Sequence, residues 1–137
     1  MKKFKFVLSV FIILLLGGCS PDLVPPLGGN YNSGSIQEDG TYIEIAIQPE
    51  ENTFVEYISN REVDRGIYEE KSDNVYLFKG ERQEFEITLS SKDSFYVNVP
   101  QLNEGELIEL KNTDKIPTYY LTEFDDVEEY EELLNEK

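Results

Sequence analysis

From Gly40 onward, apolar and polar residues alternate in short runs, and a period of two leaves few folds open. Ile43, Ile45 and Ile47 are separated by Glu44 and Ala46, and Val55 and Tyr57 flank Glu56. Phe85, Ile87 and Leu89 alternate with Glu86 and Thr88, and Phe95, Val97 and Val99 with Tyr96 and Asn98. Successive side chains of a strand point to opposite faces, so such runs describe strands with one face buried and one wet, the habit of antiparallel sheets. Ile67-Tyr68, Val75 to Phe78 and Leu107 to Leu110 add further short runs. Between them, Asp73-Asn74, Lys79-Gly80, Ser90 to Asp93, Asn103-Glu104-Gly105 and Asn112 to Pro117 carry the residue types that reverse a chain. The expected fold is mainly β: an antiparallel up-and-down meander of about 7–8 strands, as a small barrel or a sandwich.

The last stretch changes period. Phe124, Val127, Tyr130 and Leu134 recur at helical spacing, which predicts a C-terminal acidic helix over 122–135, with Thr122 as its cap and Asp125 completing a weak capping box. Glu123, Asp125, Asp126, Glu128, Glu129, Glu131 and Glu132 stand between the apolar positions. Beyond the first turn these charges repel one another, so the helix needs the sheet or a partner to hold it. The acidic face is a candidate docking surface for a cationic partner; the plainer reading is a solvated face that keeps the protein soluble.

Composition narrows the chemistry. The chain has no histidine, which removes the usual neutral-pH base, the Ser–His relay and the commonest zinc ligand. Its single cysteine, Cys19, leaves no partner for a disulfide. No glycine-rich phosphate loop and no D-x-[DN]-x-[DN]-G calcium loop is present. Twenty-eight acids against twelve Lys and Arg give a formal charge of −16, which repels nucleic acid. Paired carboxylates occur by chance among so many acids, and without tryptophan there is no strong sugar-stacking platform. A non-enzyme with no cofactor, no metal and no catalytic residue is the expectation. Eight Phe and nine Tyr provide the bulk for a core without disulfides. Tyr42, Tyr57, Tyr68, Tyr76, Tyr96, Tyr119, Tyr120 and Tyr130 are expected to pack their rings in the sheet, with a pocket lining as the alternative.

The first residues carry an address. Lys2, Lys3 and Lys5 precede an apolar run from Phe6 to Leu16, broken only by Ser9. That run is about eleven residues where a spanning helix needs about twenty, so it reads as a signal segment. Leu16-Gly17-Gly18-Cys19 follows: an aliphatic residue, two small ones, then cysteine. This resembles the lipobox of bacterial lipoproteins. The resemblance implies cleavage between Gly18 and Cys19 and acyl chains on Cys19, two of which make anchoring stable. Gly17 stands where the family usually has Ala, Ser or Thr.

The expected organisation is a signal peptide over 1–18, a lipidated Cys19 with a flexible Pro/Gly tether over 19–39, and an acidic β-domain over 40–137. The tether reading rests on Pro21, Pro25, Pro26, Gly28, Gly29 and Gly34, among which no hydrophobic period appears. The implied place is the extracytoplasmic face of a bacterial membrane, and Lys-, Glu-, Asn- and Ile-rich composition leans toward a Gram-positive one. The meander is loosely similar to lipocalin-type envelope lipoproteins, and lipidation, size and charge are similar to those of immunity lipoproteins that sequester membrane-active peptides. The leading expectation is binding of a protein or peptide partner, a cationic one in its sharper form. The alternatives are a lipocalin-like carrier of a small apolar ligand and a structural factor of an envelope complex.

Overall fold

The computed structural model describes residues 23–136; the signal segment, Gly18 and Cys19 lie outside the described residues. Eight strands follow one another: β1 (Gly29–Asn32), β2 (Ile43–Gln48), β3 (Thr53–Ile58), β4 (Arg61–Ser72), β5 (Val75–Gly80), β6 (Glu84–Thr88), β7 (Ser94–Val97) and β8 (Ile108–Asp114). All ladders are antiparallel and form one sheet in the order β6-β5-β4-β3-β2-β1-β8-β7. Because β1 pairs with both β2 and β8, the sheet curls on itself into a nearly closed barrel. The open junction falls between the consecutive strands β6 and β7. Its edge is blunted by the short length of β6 and by exposed Glu84 and Glu86.

In β2, β6 and β7 the apolar period-two positions face inward as their spacing demands, whereas in β3 Glu56 faces inward and Val55 and Tyr57 face outward. Ile43, Ile45 and Ile47 of β2 meet Ile58, Glu56 and Phe54 of β3, and Phe78 of β5 lies between Tyr68 and Phe85. Phe78 is the hub of the core: Phe54, Tyr68, Phe85 and Phe95 surround it with ring centroids at 4.9, 5.4, 5.1 and 6.3 Å. Of three register shifts in the ladders, the one opposite Glu56 and Tyr57 turns Val63 into the core as an extra residue on β4.

Two boundaries differ from the sequence reading. The segment expected as tether contains β1. Tyr31 is fully buried against Phe95, and its hydroxyl donates to Asp93 at 2.7 Å. The Lys115 ammonium ties the preceding turn to the barrel through the Pro26 carbonyl (3.0 Å) and Asp93 (2.9 Å). Gly29 has a positive φ of 94°, and a Cβ there would meet the Asp114 carbonyl of β8. This glycine therefore serves close strand packing rather than flexibility. The C-terminal helix is also shorter than expected: α1 spans Val127–Glu131 and a 3₁₀ turn, Glu132–Leu134, completes it. Thr122 does not cap it. Asp126 occupies the cap position and makes no side-chain capping bond, because its carboxylate is engaged by Arg61.

Candidate functional site

Arg61 sits at the end of the barrel that α1 covers. Its guanidinium reaches both Asp126 oxygens (3.0 and 2.8 Å), donates to the Ser59 carbonyl (2.8 Å), and lies 4.0 and 4.6 Å from the Phe124 and Tyr130 ring centroids. The Arg61 hydrogen bonds hold the Asp126 carboxyl below the usual carboxylate range. Gln83 and Gln101 donate to the Leu134 and Glu132 carbonyls at 3.1 and 2.9 Å, satisfying carbonyls at the helix end. Leu134 is buried in the core. The helix is a lid.

Of the seven acids singled out in the sequence, two are engaged within the molecule and five are exposed. Asp126 and Glu131 are engaged within the molecule by Arg61 and Arg82. Glu129 lines a cleft of about 240 Å³ beside Tyr130 and Leu133. Asp125, Glu128 and Glu132 face solvent, and Glu123 borders the groove described next. Among the described residues, no three carboxylates converge as metal ligands.

The irregular segment 115–126 is a strap across the outside of β1–β3. Thr118 donates its amide to Asn30 Oδ1 (2.8 Å), and the Tyr120 amide donates to the Tyr57 hydroxyl (3.2 Å). The Tyr120 hydroxyl donates to Glu44 Oε1 (3.0 Å), while Asn32 donates to Glu44 Oε2 (2.8 Å). The Tyr57 and Tyr120 rings meet edge to face at 5.0 Å. Burial first, and the Glu44 bond second, push the Tyr120 hydroxyl up to about 12. Alternation alone would leave Glu44 and Ala46 in water; under the strap both are buried.

Beyond the strap's edge the outer face of β3–β4 stays open. Three cross-strand pairs, Thr53–Ile67, Val55–Arg65 and Tyr57–Glu62, form the floor of a groove of about 490 Å³, and Tyr119, Tyr120 and Leu121 form its wall. Ile67, Tyr119 and Leu121 are 55, 44 and 91% exposed. Arg65 is held by Glu62 through two bonds of 3.0 and 2.5 Å, so the floor's cation is already matched. Glu51 and Glu81 stand at the rim, and neither has an ion pair among the described residues. Burial and the Glu51 charge raise the Tyr119 hydroxyl above its ordinary value. The groove continues along Leu121, Glu123 and Phe124. Sequence reasoning held a pocket lining for Tyr57, Tyr119 and Tyr120 only as the alternative to ring packing, and all three line this groove. Ile67, Leu121 and the β3–β4 floor were not read, because 116–121 has no periodicity.

Inside the barrel, Glu56 is the exceptional residue. It is 1% exposed, faces Ile45 and Asp64 across its two ladders, and its Oε1 has no hydrogen-bond partner. Asp64 is also buried but fully occupied. The amides of Arg65, Arg82 and Gln83 donate to it at 2.9, 3.0 and 3.1 Å, and only a glycine at position 80 leaves room for its carboxylate. Burial, then the Asp64 charge, raise Glu56 to about 8. The alternating pattern marked this position as polar and outward; the register puts it inward. Comparison of the chain with protein-family models, curated proteins and solved structures finds no match.

Proposed function

We propose that this chain is a lipid-anchored envelope protein without enzymatic activity that binds a cationic peptide or protein at its outer surface. The observation that carries this reading is where the open space lies. Rings and aliphatic groups of Tyr31, Phe54, Phe78, Phe95 and the β2 isoleucines occupy the barrel interior, so a small apolar ligand has little room there. Ile67, Tyr119 and Leu121 present apolar surface outside, beside the strap, and Glu51 and Glu81, without an ion pair among the described residues, border it. A formal charge of −16 accelerates encounter with a basic partner.

The anchor rests on Leu16-Gly17-Gly18-Cys19. Residues 26–29 enter the barrel beside Pro49 of the β2–β3 turn and Asp93 of the β6–β7 turn, at the end opposite the helix lid. With Cys19 acylated, that end faces the membrane and the lid points away from it.

The test is binding of a fluorescent lysine-rich peptide to the full-length chain in zwitterionic detergent at two salt concentrations. Binding that weakens about tenfold between roughly 20 and 150 mM salt is expected. Absence of binding at both would refute the reading. Labelling with radioactive palmitate is expected for the wild type and not for Cys19→Ala; label persisting in the variant would refute the anchor.

A further inference from the structure

Among exposed apolar surfaces, the groove beside the strap is the place where several large hydrophobic groups converge. Of the large hydrophobic residues left exposed, Ile67, Tyr119 and Leu121 line this one depression, whereas Leu23, Tyr96, Leu107 and Ile116 are not among its lining residues. Its volume of about 490 Å³ falls within the range of sites that enclose a small ligand or a few side chains. Apolar groups in its wall are bordered by Glu51, Glu81 and, further along, Glu123, while the floor's Arg65 is neutralised by Glu62. An acid-rimmed apolar depression selects a ligand that alternates apolar and cationic groups, and it rejects an acidic one. A second copy of this chain would bring another −16 charges against it, so self-association is disfavoured.

We propose that this groove is the seat for a short amphipathic cationic peptide segment, with an apolar side chain set on Ile67, Tyr119 and Leu121 and lysine or arginine groups on Glu51 and Glu81. The proposal rests on the partner-binding reading above and gives it an address. In the bound state the peptide shields the apolar wall from water, and its cations replace the counterions that the rim now attracts. Two acids of the C-terminal segment, Asp126 and Glu131, are already paired within the molecule, and the exposed ones on the helix contribute through their field.

The test uses the full-length chain in zwitterionic detergent and two fluorescent peptides of equal charge, Lys-Leu-Lys-Phe-Lys-Gly and Lys-Gly-Lys-Gly-Lys-Gly, with empty micelles as blank. Two double variants raise the net charge equally: Ile67→Lys with Leu121→Lys in the groove, and Glu128→Gln with Glu129→Gln on the lid. All four positions are exposed, and a thermal melt checks that each variant folds. The groove pair is expected to weaken binding of the apolar-containing peptide about tenfold or more, and the lid pair less than about threefold. The glycine peptide is expected to bind the wild type at least about fivefold more weakly. Equal losses in the two double variants would overturn the groove and leave the partner-binding reading standing. No binding of either peptide to the wild type would overturn both. A dimer in sedimentation that the groove pair dissolves would assign the surface to self-association instead.

Discussion

Inside the barrel, Phe78 is enclosed by four aromatic rings while Glu56 keeps one oxygen without a partner; outside, Glu44 has both oxygens bound while Ile67 and Leu121 stand open to water. The two regions thus leave opposite groups unfinished. The interior lacks one polar partner, and a proton on Glu56 lowers that cost. The outer face lacks an apolar cover, and no side chain of the described residues provides it. A chain that leaves a polar group bare inside constrains its own stability with pH. One that leaves apolar groups bare outside in a rim of acids is set up for a partner. The contrast predicts that interior substitutions change stability, and groove substitutions change binding.

The largest effect belongs to Phe78. It is fully buried and packs against the rings of Phe54, Tyr68, Phe85 and Phe95. Phe78→Ala is expected to cost about 3–5 kcal/mol in urea unfolding. A loss below about 1 kcal/mol would mean that the interior is loose enough to collapse, and the contrast between a filled inside and an open outside would fail.

Next is the pH dependence that Glu56 imposes. Its folded-state value of about 8 lies above the ordinary 4.5, so the folded protein holds a proton there that the unfolded chain releases. The contribution is fully present below about pH 4.5 and is lost as pH rises through about 8, a change on the order of 3–5 kcal/mol. Its surroundings include the Asp64 charge, which raises it; Asp64 itself accepts the Arg82 and Gln83 amides. The chain has no histidine, so that pH window is otherwise quiet. Glu56→Gln is expected to flatten the profile and to exceed the wild type in stability at pH 8.5. A wild-type stability that does not change between pH 5 and 8.5 would show that Glu56 finds a partner or water in solution.

How much of this was legible in the sequence follows from what periodicity can carry. Strands β2, β6 and β7 were readable because Ile43-Ile45-Ile47, Phe85-Ile87 and Phe95-Val97 alternate cleanly. Closure was not readable, because it depends on β1, a four-residue strand with one large side chain, Tyr31, among glycine and asparagines. The β3–β4 hairpin was also unmarked, although Ser59 and Asn60 both adopt positive φ (46° and 70°) in its two-residue loop. Asp126 was read as part of a uniform acidic face, but the partner that removes it, Arg61, is 65 residues away in sequence. The groove needs a floor from β3–β4 and a wall from the strap. No local pattern announces that pairing.

The strap separates the two regions, and Tyr120 fastens it. Tyr120→Phe keeps the edge-to-face contact with Tyr57 but removes the donor to Glu44, whose side chain then has one buried oxygen unsatisfied. The expected loss is about 1–2 kcal/mol, with faster amide exchange along 118–121 while the core strands stay protected. Core strands that exchange faster by the same factor would mean that strap and barrel unfold as one unit, and the outer region would then have no independent stability to compare.

The smallest effect is the most discriminating. Leu121 is 91% exposed, so Leu121→Ser removes an apolar group that the folded protein does not shelter. Stability is expected to change by less than about 0.5 kcal/mol, as for surface positions away from caps, cores and buried polar groups. A destabilisation above about 1 kcal/mol would show that Leu121 is covered in the folded chain, either by the strap folding inward over Ile67 or by residues outside 23–136. The groove would then be an internal contact, and binding lost in groove variants would report a damaged fold. A near-zero change leaves Leu121 without a structural role in the monomer, so any loss of peptide binding in the same variant is a loss of contact. That outcome makes an exposed leucine beside two uncompensated acids a recognition surface, since burial on folding no longer explains its place on the strap.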